Sequence, residues 1–190
     1  MFLISFGMLA QESLSHYSFQ GIEMNMKVGA FSTELSRKGY AISYAKEDST
    51  ACILSGTFAG KDDCSIIVFG TPKSKIVWKV SILFPETKSW YSVKNNYMTL
   101  VESYTKKYGN PQKHFEFFSS PYEEGDGYEI SAISLEKCHY LSMFEKDNVT
   151  ILIRINKGDV RTACVNVSYE DKINQELMKK EKSEIVDDDI

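Results

Sequence analysis

The chain has 190 residues, of which 43% are hydrophobic and 25% charged, and its formal net charge is −4. This length suits a single globular domain that buries a core without metal or disulfide staples. The acidic balance and the lack of a basic stripe in the sequence disfavour nucleic acid as a partner, because nucleic-acid-binding surfaces concentrate Lys and Arg. The 11 Tyr, 11 Phe and 2 Trp residues favour strands, where large flat side chains pack well.

The chain begins with a short apolar run from Phe2 to Leu9 that ends at Ala10-Gln11. This run is too short for a membrane-spanning helix, and it is typical of the apolar part of a secretory signal. We therefore expect residues 1–11 to be a signal-peptide remnant, the mature protein to be periplasmic or extracellular, and the mature chain to lack a membrane span. No Lys or Arg precedes the apolar run, although secretory signals begin with basic residues, and a start codon placed too late would explain this. The alternative is an N-terminal strand that packs on the domain.

The first half of the chain predicts a strand at Tyr17–Met24, then a helix, then a meander of strands. Asn25 is the expected helix cap, and Val28, Phe31 and Leu35 recur with helical spacing, so they share one face. Gly39 stands where a left-handed residue ends many helices. The predicted strands are Tyr40–Lys46, Ala51–Ala59, Cys64–Thr71 and Lys75–Phe84.

A second helix is predicted from a long apolar stripe that follows Ser89, its expected N-cap. Lys106 and Lys107 lie in the last turn, where cations complement the helix dipole, and Gly109 ends the helix. The stripe comprises Trp90, Val93, Tyr97, Leu100, Val101, Tyr104 and Tyr108.

The second half predicts further strands, a tight turn at Lys146-Asp147-Asn148 and a last helix that starts near Asp171. Residues 184–190 are expected to form an acidic tail. The predicted strands are Lys113–Ser119, Tyr128–Ser134, Cys138–Glu145, Val149–Asn156 and Arg161–Tyr169.

These elements predict one α+β domain over residues 12–183, with two layers: an antiparallel sheet and two main helices on one of its faces. A C-terminal helix completes the fold. The two halves, residues 25–85 and 89–170, share the order of a glycine-terminated helix followed by strands, which suggests a tandem α-β repeat. Gly39-Tyr40 would then correspond to Gly127-Tyr128, and Cys64–Phe84 to Val149–Tyr169.

The four cysteines, Cys52, Cys64, Cys138 and Cys164, form no CxxC pair, so the sequence contains neither a zinc ribbon nor a thioredoxin-like motif. Each lies beside apolar strand residues, as small buried thiols often do. One or two disulfides are the alternative, and the sequence does not choose among the three full pairings.

The sequence contains no motif that predicts catalytic, metal-binding or cofactor-binding residues. The histidines are His16, His114 and His139, and only His114 alternates with a carboxylate, Glu116, on a predicted strand face. The acidic loop at residues 120–128 could bind calcium or a basic partner. A solvated hairpin loop is the alternative, since the spacing of an EF-hand is missing.

Any recognition surface is expected on the sheet face opposite the two main helices. The alternate residues of two strands on that face mix apolar and polar side chains, as surfaces that bind proteins do. The expected partner-binding residues are Val77, Lys79, Leu83, Leu152 and Arg154. The same strands place Ser81, Thr150 and Asn156 beside them. The alternative is that the C-terminal helix or residues 113–126 cover this face.

Five segments together resemble a family of small exported bacterial proteins of unknown function, and the resemblance implies neither an activity nor catalytic residues. They are Phe19-Gln20-Gly21-Ile22, Gly56–Gly60 with Asp63-Cys64, Val80–Pro85, Lys106–Pro111 and Ser168–Asn174. The layout also resembles the β-lactamase-inhibitor-like fold of small outer-membrane assembly lipoproteins. The first cysteine is Cys52, so the mature N-terminus offers no lipobox cysteine.

We therefore expect a non-enzymatic exported binding protein of the bacterial cell envelope, without cofactors, that recognises a protein partner. One alternative is a factor in envelope assembly. Another is an enzyme whose site is assembled from residues distant in sequence. The sequence leaves the oligomeric state open.

Overall fold

The computed structural model describes residues 15–46 and 49–188, so the expected signal remnant at residues 1–11 lies outside the described residues. Within these ranges the chain forms four helices, an antiparallel sheet of eight strands and a second sheet of two. The predicted α+β class with a large antiparallel sheet is confirmed.

The helices are α1 (Val28–Arg37), α2 (Trp90–Tyr108), α3 (Glu129–Ser134) and α4 (Lys172–Asp188). The strands are β1 (Ser18–Phe19), β2 (Ile22–Glu23), β3 (Ala41–Ala45), β4 (Ala51–Phe58), β5 (Lys61–Gly70), β6 (Val77–Leu83), β7 (Lys113–Phe118), β8 (Cys138–Lys146), β9 (Val149–Lys157) and β10 (Ala163–Asp171). Strands β1 and β2 pair with each other, and the order of the large sheet is β3-β4-β5-β6-β10-β9-β8-β7.

Cross-strand pairing assigns side chains to the two faces of the large sheet. Leu54, Ile66, Ile82, Val167 and Ile153 lie side by side across five strands, and all are fully buried. We call the face that carries them the first face. Because successive side chains of a strand point to opposite faces, the intervening residues form the second face.

One row of residues on the second face crosses six strands, and it is much more exposed to solvent than the buried row of the first face. It contains Ser65, Leu83, Asn166, Arg154, Leu141 and Phe115. Only Asn166 in this row is buried, and the others are half-buried or exposed.

Helix α2 packs on the first face as its apolar stripe predicts. The side chain of Ser89 accepts a hydrogen bond from the backbone N–H of Ser92 and so caps the helix. The Tyr97 hydroxyl lies 2.8 Å from Ser142 Oγ on β8, and Tyr97 is fully buried. The polar end of a buried tyrosine is thus satisfied by the strand it covers.

Helix α1 also follows its predicted pattern, since Val28, Phe31 and Leu35 are all buried in the main hydrophobic cluster. Its start differs from the prediction. The N-cap is Lys27 rather than Asn25, and no side chain caps this helix.

The predicted strand Tyr17–Met24 is instead a small hairpin of β1 and β2. Gln20 and Gly21 have positive φ angles of 52° and 74°, which form a tight turn and interrupt the strand. The hairpin packs on the core, where the Phe19 ring lies 5.1 Å from the ring of Tyr169.

The prediction of a strand at Tyr128–Ser134 is wrong, because this segment contains helix α3. Helical spacing buries Glu129, Ala132 and Ile133, which lie on one side of a helix but not on one face of a strand. The segment also shows that Gly127-Tyr128 precedes a helix. It therefore does not correspond to Gly39-Tyr40, which precedes β3.

Helix α4 starts where predicted and continues to Asp188, four residues beyond the expected start of the acidic tail. Asp171 fixes its start, because its Oδ1 accepts a hydrogen bond from the N–H of Asn174 at 2.8 Å. The other oxygen of this buried carboxylate accepts from the N–H of Tyr17 at 2.7 Å, which ties the N-terminal segment to α4.

Candidate functional site

The structure places four of the five expected partner-binding residues on accessible parts of the second face. Leu83, Leu152 and Arg154 are half-buried there, and so is Lys79, whose ammonium lies 2.8 Å from the carboxylate of Glu170. Lys79 is thus already paired, which leaves Arg154 as the cation of this set available for a partner.

Val77 is a correction, because it has no exposed surface and cannot contact a partner. The pairing of β5 with β6 shifts register between Phe69 and Gly70, and this bulge takes Val77 out of the regular alternation. The Val77 carbonyl accepts a hydrogen bond from Asn174 of α4 at 2.8 Å, and its N–H donates to the Met26 carbonyl.

A cavity of about 380 Å³ opens on the second face between β7, β8 and β9. Its volume lies within the range of ligand pockets. Phe115 and Phe117 contribute exposed rings, 47% and 50% accessible, and Arg154 contributes its cation. The remaining side chains of the lining that lie on the second face are His139, Leu141 and Asn156.

Arg154 is held in place but not neutralised. Its Nε donates to Oδ1 of Asn166 at 3.4 Å, and within residues 15–46 and 49–188 no carboxylate forms an ion pair with it. A guanidinium on a half-buried surface attracts a carboxylate, which it can bind through two parallel hydrogen bonds. The cavity thus offers an unpaired cation beside apolar rings.

His139 is also fixed beside the cavity. Its Nε2 lies 2.8 Å from Ser119 Oγ, and the Phe117 ring stacks on the imidazole with a centroid distance of 4.6 Å. These two contacts hold the imidazole and one wall of the cavity in a defined orientation.

Arg154 is bonded to Asn166, which belongs to a group of buried polar residues in the centre of the second face. Asn166 is 1% exposed, and its Nδ2 donates to Ser81 Oγ at 2.6 Å and to the Ile82 carbonyl at 3.1 Å. Ser168 on the same strand is equally buried. Because Asn166 is held by these bonds, it presents a fixed acceptor to Arg154.

Sequence reasoning missed Phe115, Phe117 and His139, although a signal for them was present. The alternation of Lys113, Phe115 and Phe117 on β7 places three side chains on one face, and two of them are aromatic. The residues expected to form the recognition surface lie on β6 and β9 only. That β7 and β8 adjoin β9 on this face depends on the strand order.

A serine, a histidine and a glutamate also meet on the first face, at its β7 edge. His114 Nδ1 lies 2.9 Å from Ser142 Oγ, and His114 Nε2 lies 3.3 Å from Glu116 Oε1. The expected sharing of a face by His114 and Glu116 is therefore confirmed. Ser142 is fully buried beneath Tyr97, so no substrate carbonyl can reach its hydroxyl in this conformation.

The four cysteines all lie within the described residues and are free thiols; Cys52, Cys64 and Cys164 are buried, as their apolar neighbours in the sequence predicted, and Cys138 is half-buried. Burial raises the pKa of Cys138 to about 12 and that of Cys164 to about 11. A thiol with such a pKa is almost entirely protonated at neutral pH and therefore a poor nucleophile.

In the acidic loop at residues 120–128, the carboxylates of Glu124 and Asp126 are bonded to other groups of this chain. Glu124 contacts the ammonium of Lys94 and accepts a hydrogen bond from the Tyr140 hydroxyl at 3.1 Å; the pair with Lys94 is the main cause that lowers the pKa of Glu124. Asp126 accepts from the backbone N–H groups of Glu123 and Tyr128. These contacts favour the alternative of a solvated hairpin loop over a site for calcium or a basic partner.

No family model, no curated protein and no solved structure matches the chain. In the part of the chain that the structure describes, no helix is both long and apolar enough to cross a membrane. The same residues contain no group of three or more His, Cys, Asp or Glu side chains arranged to hold a metal ion.

Proposed function

We propose that this chain is a non-enzymatic binding protein of the bacterial cell envelope that recognises a protein partner through the second face of its sheet. The observation that carries the proposal is the unpaired guanidinium of Arg154 beside the exposed rings of Phe115 and Phe117. Aromatic residues and arginine dominate the binding energy of protein interfaces, because they combine apolar area with directional hydrogen bonds.

The chemistry of the cavity specifies what the partner presents. An apolar side chain contacts Phe115 and Leu141, and a neighbouring carboxylate pairs with Arg154. A segment of polypeptide with Asp or Glu next to Leu, Ile or Phe has both groups within the width of three strands, which is about 10 Å. We therefore propose an acidic and apolar peptide segment as the bound element.

Selection of random linear peptides against the wild-type protein tests the proposal. We expect the recovered peptides to share an acidic residue beside an apolar one, and to bind Arg154→Glu at least tenfold more weakly than wild type. Arg37→Glu, on α1, is the matched charge reversal and should keep wild-type affinity. Recovered peptides that lack the acidic residue, or that bind Arg154→Glu equally well, would refute the proposed surface.

The same variants apply to the natural partner. Arg154→Glu should recover less of the partner from envelope extract than wild type, and its thermal midpoint should stay close to that of wild type. Recovery together with an envelope complex would favour an assembly factor, whereas recovery with a free secreted protein would favour a simple binding module.

Export is part of this proposal and is supported by the apolar run from Phe2 to Leu9. Protein recovered from the cell exterior or periplasm should lack about the first eleven residues on N-terminal sequencing. A variant that starts at Glu12 should keep the thermal midpoint of the full chain, because a signal is removed before the domain folds. A large drop would show that residues 1–11 pack as a native strand.

For the architecture we propose a two-layer domain built from a tandem α-β repeat, as in the β-lactamase-inhibitor-like layout. The support is the strand order, which runs β6-β5-β4-β3 in one direction from the centre and β10-β9-β8-β7 in the other. Helix α1 contacts β3, β4 and β5, and helix α2 contacts β8, β9 and β10.

A second candidate is a hydrolase, which the grouping of Ser142, His114 and Glu116 favours. It requires a conformation in which Tyr97 leaves Ser142. Labelling with a fluorophosphonate probe decides between the two functions. Covalent modification of Ser142 that is lost in His114→Ala would favour the hydrolase. An unmodified Ser142 would favour the binding protein.

A further inference from the structure

A second cleft lies at the start of helix α1, in the other half of the large sheet. Its volume is about 530 Å³, and it opens between α1, β3 and the start of β4. Val28, Ile42 and Cys52 contribute apolar surface, and Ile42 is 46% exposed although it is a large aliphatic residue. The cleft is separate from the cavity beside Arg154.

Gly29 and Ala30 in the first turn of α1 line this cleft, and their backbone N–H groups have no acceptor among the described residues. The N–H of Val28 donates to the Lys75 carbonyl and that of Phe31 to the Lys27 carbonyl. Across the described residues, the N–H groups of Gly29 and Ala30 between them have no such bond, and no side chain caps the helix. Unbonded N–H groups and the helix dipole together attract an anion.

Ser32 supplies an independent sign of a ligand in the same cleft. It is 2% exposed, and its Oγ has no hydrogen-bond partner anywhere in residues 15–46 and 49–188. A buried hydroxyl without a partner destabilises a fold, because it loses its bonds to water and gains none in return. Ser32 is one of the residues that line the cleft, so a group bound there can supply the missing partner of its hydroxyl.

Among the described residues that line the cleft, all the charged side chains are cations. Lys27, Lys46 and Lys75 line it, and the described lining contains no carboxylate. The ammonium of Lys75 donates to the Pro72 carbonyl at 2.9 Å. Lys27 and Lys46 form no ion pair with any described residue, so both remain available to a ligand.

Gly29 leaves room for the ligand. A Cβ added at Gly29 would meet no atom within 4 Å, so the space beside this residue is open. A head group can therefore approach the N–H groups directly, while an attached chain follows Val28 and Ile42.

We propose that this cleft binds an oxyanion, either a carboxylate or a phosphate, attached to an apolar chain. The N–H groups of Gly29 and Ala30 and the hydroxyl of Ser32 bind the oxyanion. Lys27 and Lys46 neutralise it, and the apolar surface of the cleft covers the chain. The site shares no residue with the proposed peptide-binding surface, so either proposal can fail without the other.

Calorimetric titration of the full chain with four probes tests the site: decanoate, decyl phosphate, inorganic phosphate and decyltrimethylammonium, all below their critical micelle concentrations. Decanoate or decyl phosphate should bind and raise the thermal midpoint, and the tighter of the two identifies the head group. Inorganic phosphate should bind at least tenfold more weakly, since it lacks the chain. Binding of the ammonium probe as tightly as decanoate would overturn the proposal.

Two variants and a control locate the site. The double variant Lys27→Gln, Lys46→Gln should lose at least tenfold in affinity for the anionic probe, whereas Lys38→Gln, at the other end of α1, should change it less than twofold. Ser32→Ala should lose about threefold or more. Its unliganded thermal midpoint should equal or exceed that of wild type, because an unpaired buried hydroxyl is removed. Wild-type affinity in Ser32→Ala or in the double variant would place the probe elsewhere and overturn the proposal.

Discussion

The two faces of the large sheet are formed by the same strands, yet they are stabilised in different ways. On the first face, neighbouring strands contribute Leu54, Ile66, Ile82, Val167 and Ile153, which are buried together with the apolar sides of α1 and α2. Packing of apolar side chains between layers dominates here.

On the second face, most of the buried residues lie at the centre of the sheet and are polar. Asn166, Ser168 and Ser81 are buried there, and Asn166 forms hydrogen bonds to both neighbouring strands. Towards the β7 edge the rings of Phe115 and Phe117 are exposed. One face therefore stabilises the fold through buried apolar area, whereas the other combines a centre held by hydrogen bonds with exposed aromatic rings at its edge.

The largest expected effect is on the first face. Tyr97→Ala removes a fully buried ring and the bond to Ser142, and it should lower the free energy of unfolding by about 3 kcal/mol or more. Tyr97→Phe keeps the ring and should cost about 1 kcal/mol. Chemical denaturation measures both. Equal midpoints for wild type and Tyr97→Ala would show that α2 does not stabilise this face.

Alkaline pH should lower the free energy of unfolding through the buried tyrosines that pack on the first face. Burial raises the pKa of Tyr97 and of Tyr104 to about 12, while an unfolded tyrosine ionises near 10. Their neutral forms stabilise the fold fully below pH 10, and this contribution is lost as the pH rises from about 10 towards 12. Each tyrosine should cost about 1.4 kcal/mol per pH unit in that window.

Urea midpoints measured between pH 9 and pH 12 test this dependence. Tyr97→Phe and Tyr104→Phe should each flatten the loss of stability above pH 10. Tyr91→Phe is the control, because Tyr91 is 79% exposed, and it should leave the slope unchanged. An identical slope in all three variants would contradict the assignment.

On the second face, the buried amide of Asn166 should contribute more to the free energy of unfolding than the side chains around it. Asn166→Ala leaves Ser81 and the Ile82 carbonyl without their donor, and it should lower the free energy of unfolding by about 1–3 kcal/mol. The half-buried Asn156 on the same face is the matched control, and its change to alanine should cost less than about 0.5 kcal/mol. Similar losses at both positions would remove the central role given to Asn166.

The smallest effect is expected at the exposed rings. Phe117→Ala should change the free energy of unfolding by about 0.5 kcal/mol or less, since half of its surface already contacts solvent. The same change at Phe144, buried on the first face, should cost about 3–5 kcal/mol. Comparable losses would mean that the second face is part of the core rather than a binding surface.

Much of the fold followed from local pattern. The stripe from Val93 to Tyr104 predicted α2, and the spacing of Phe31 and Leu35 predicted α1. The alternation of Ile151, Ile153 and Ile155 predicted the buried side of β9. Where residues alternate in a short segment, as at Tyr128–Ser134, helix and strand patterns overlap, and the prediction was wrong.

The two proposed sites depend on contacts between residues that are far apart in the sequence, which a local pattern does not contain. Arg154 lies beside Asn166 because β9 pairs with β10. Phe115 also lines the cavity, because only β8 separates its strand, β7, from the strand of Arg154, β9. The sequence places Ser32 only within the predicted helix between Asn25 and Gly39. Its missing partner became visible once the neighbours of α1 were known.

The sequence by itself determined the class of fold, the positions of most helices and strands, and the buried side of strands such as β9, because these depend on spacings of two to four residues. The tertiary structure alone decided that Val77 is buried by a bulge, that Asp171 joins α4 to Tyr17, and that an uncapped helix start lies beside Ser32. These features join groups up to 154 residues apart in the chain. Strand order and packing bring such groups together, and local periodicity carries no record of either.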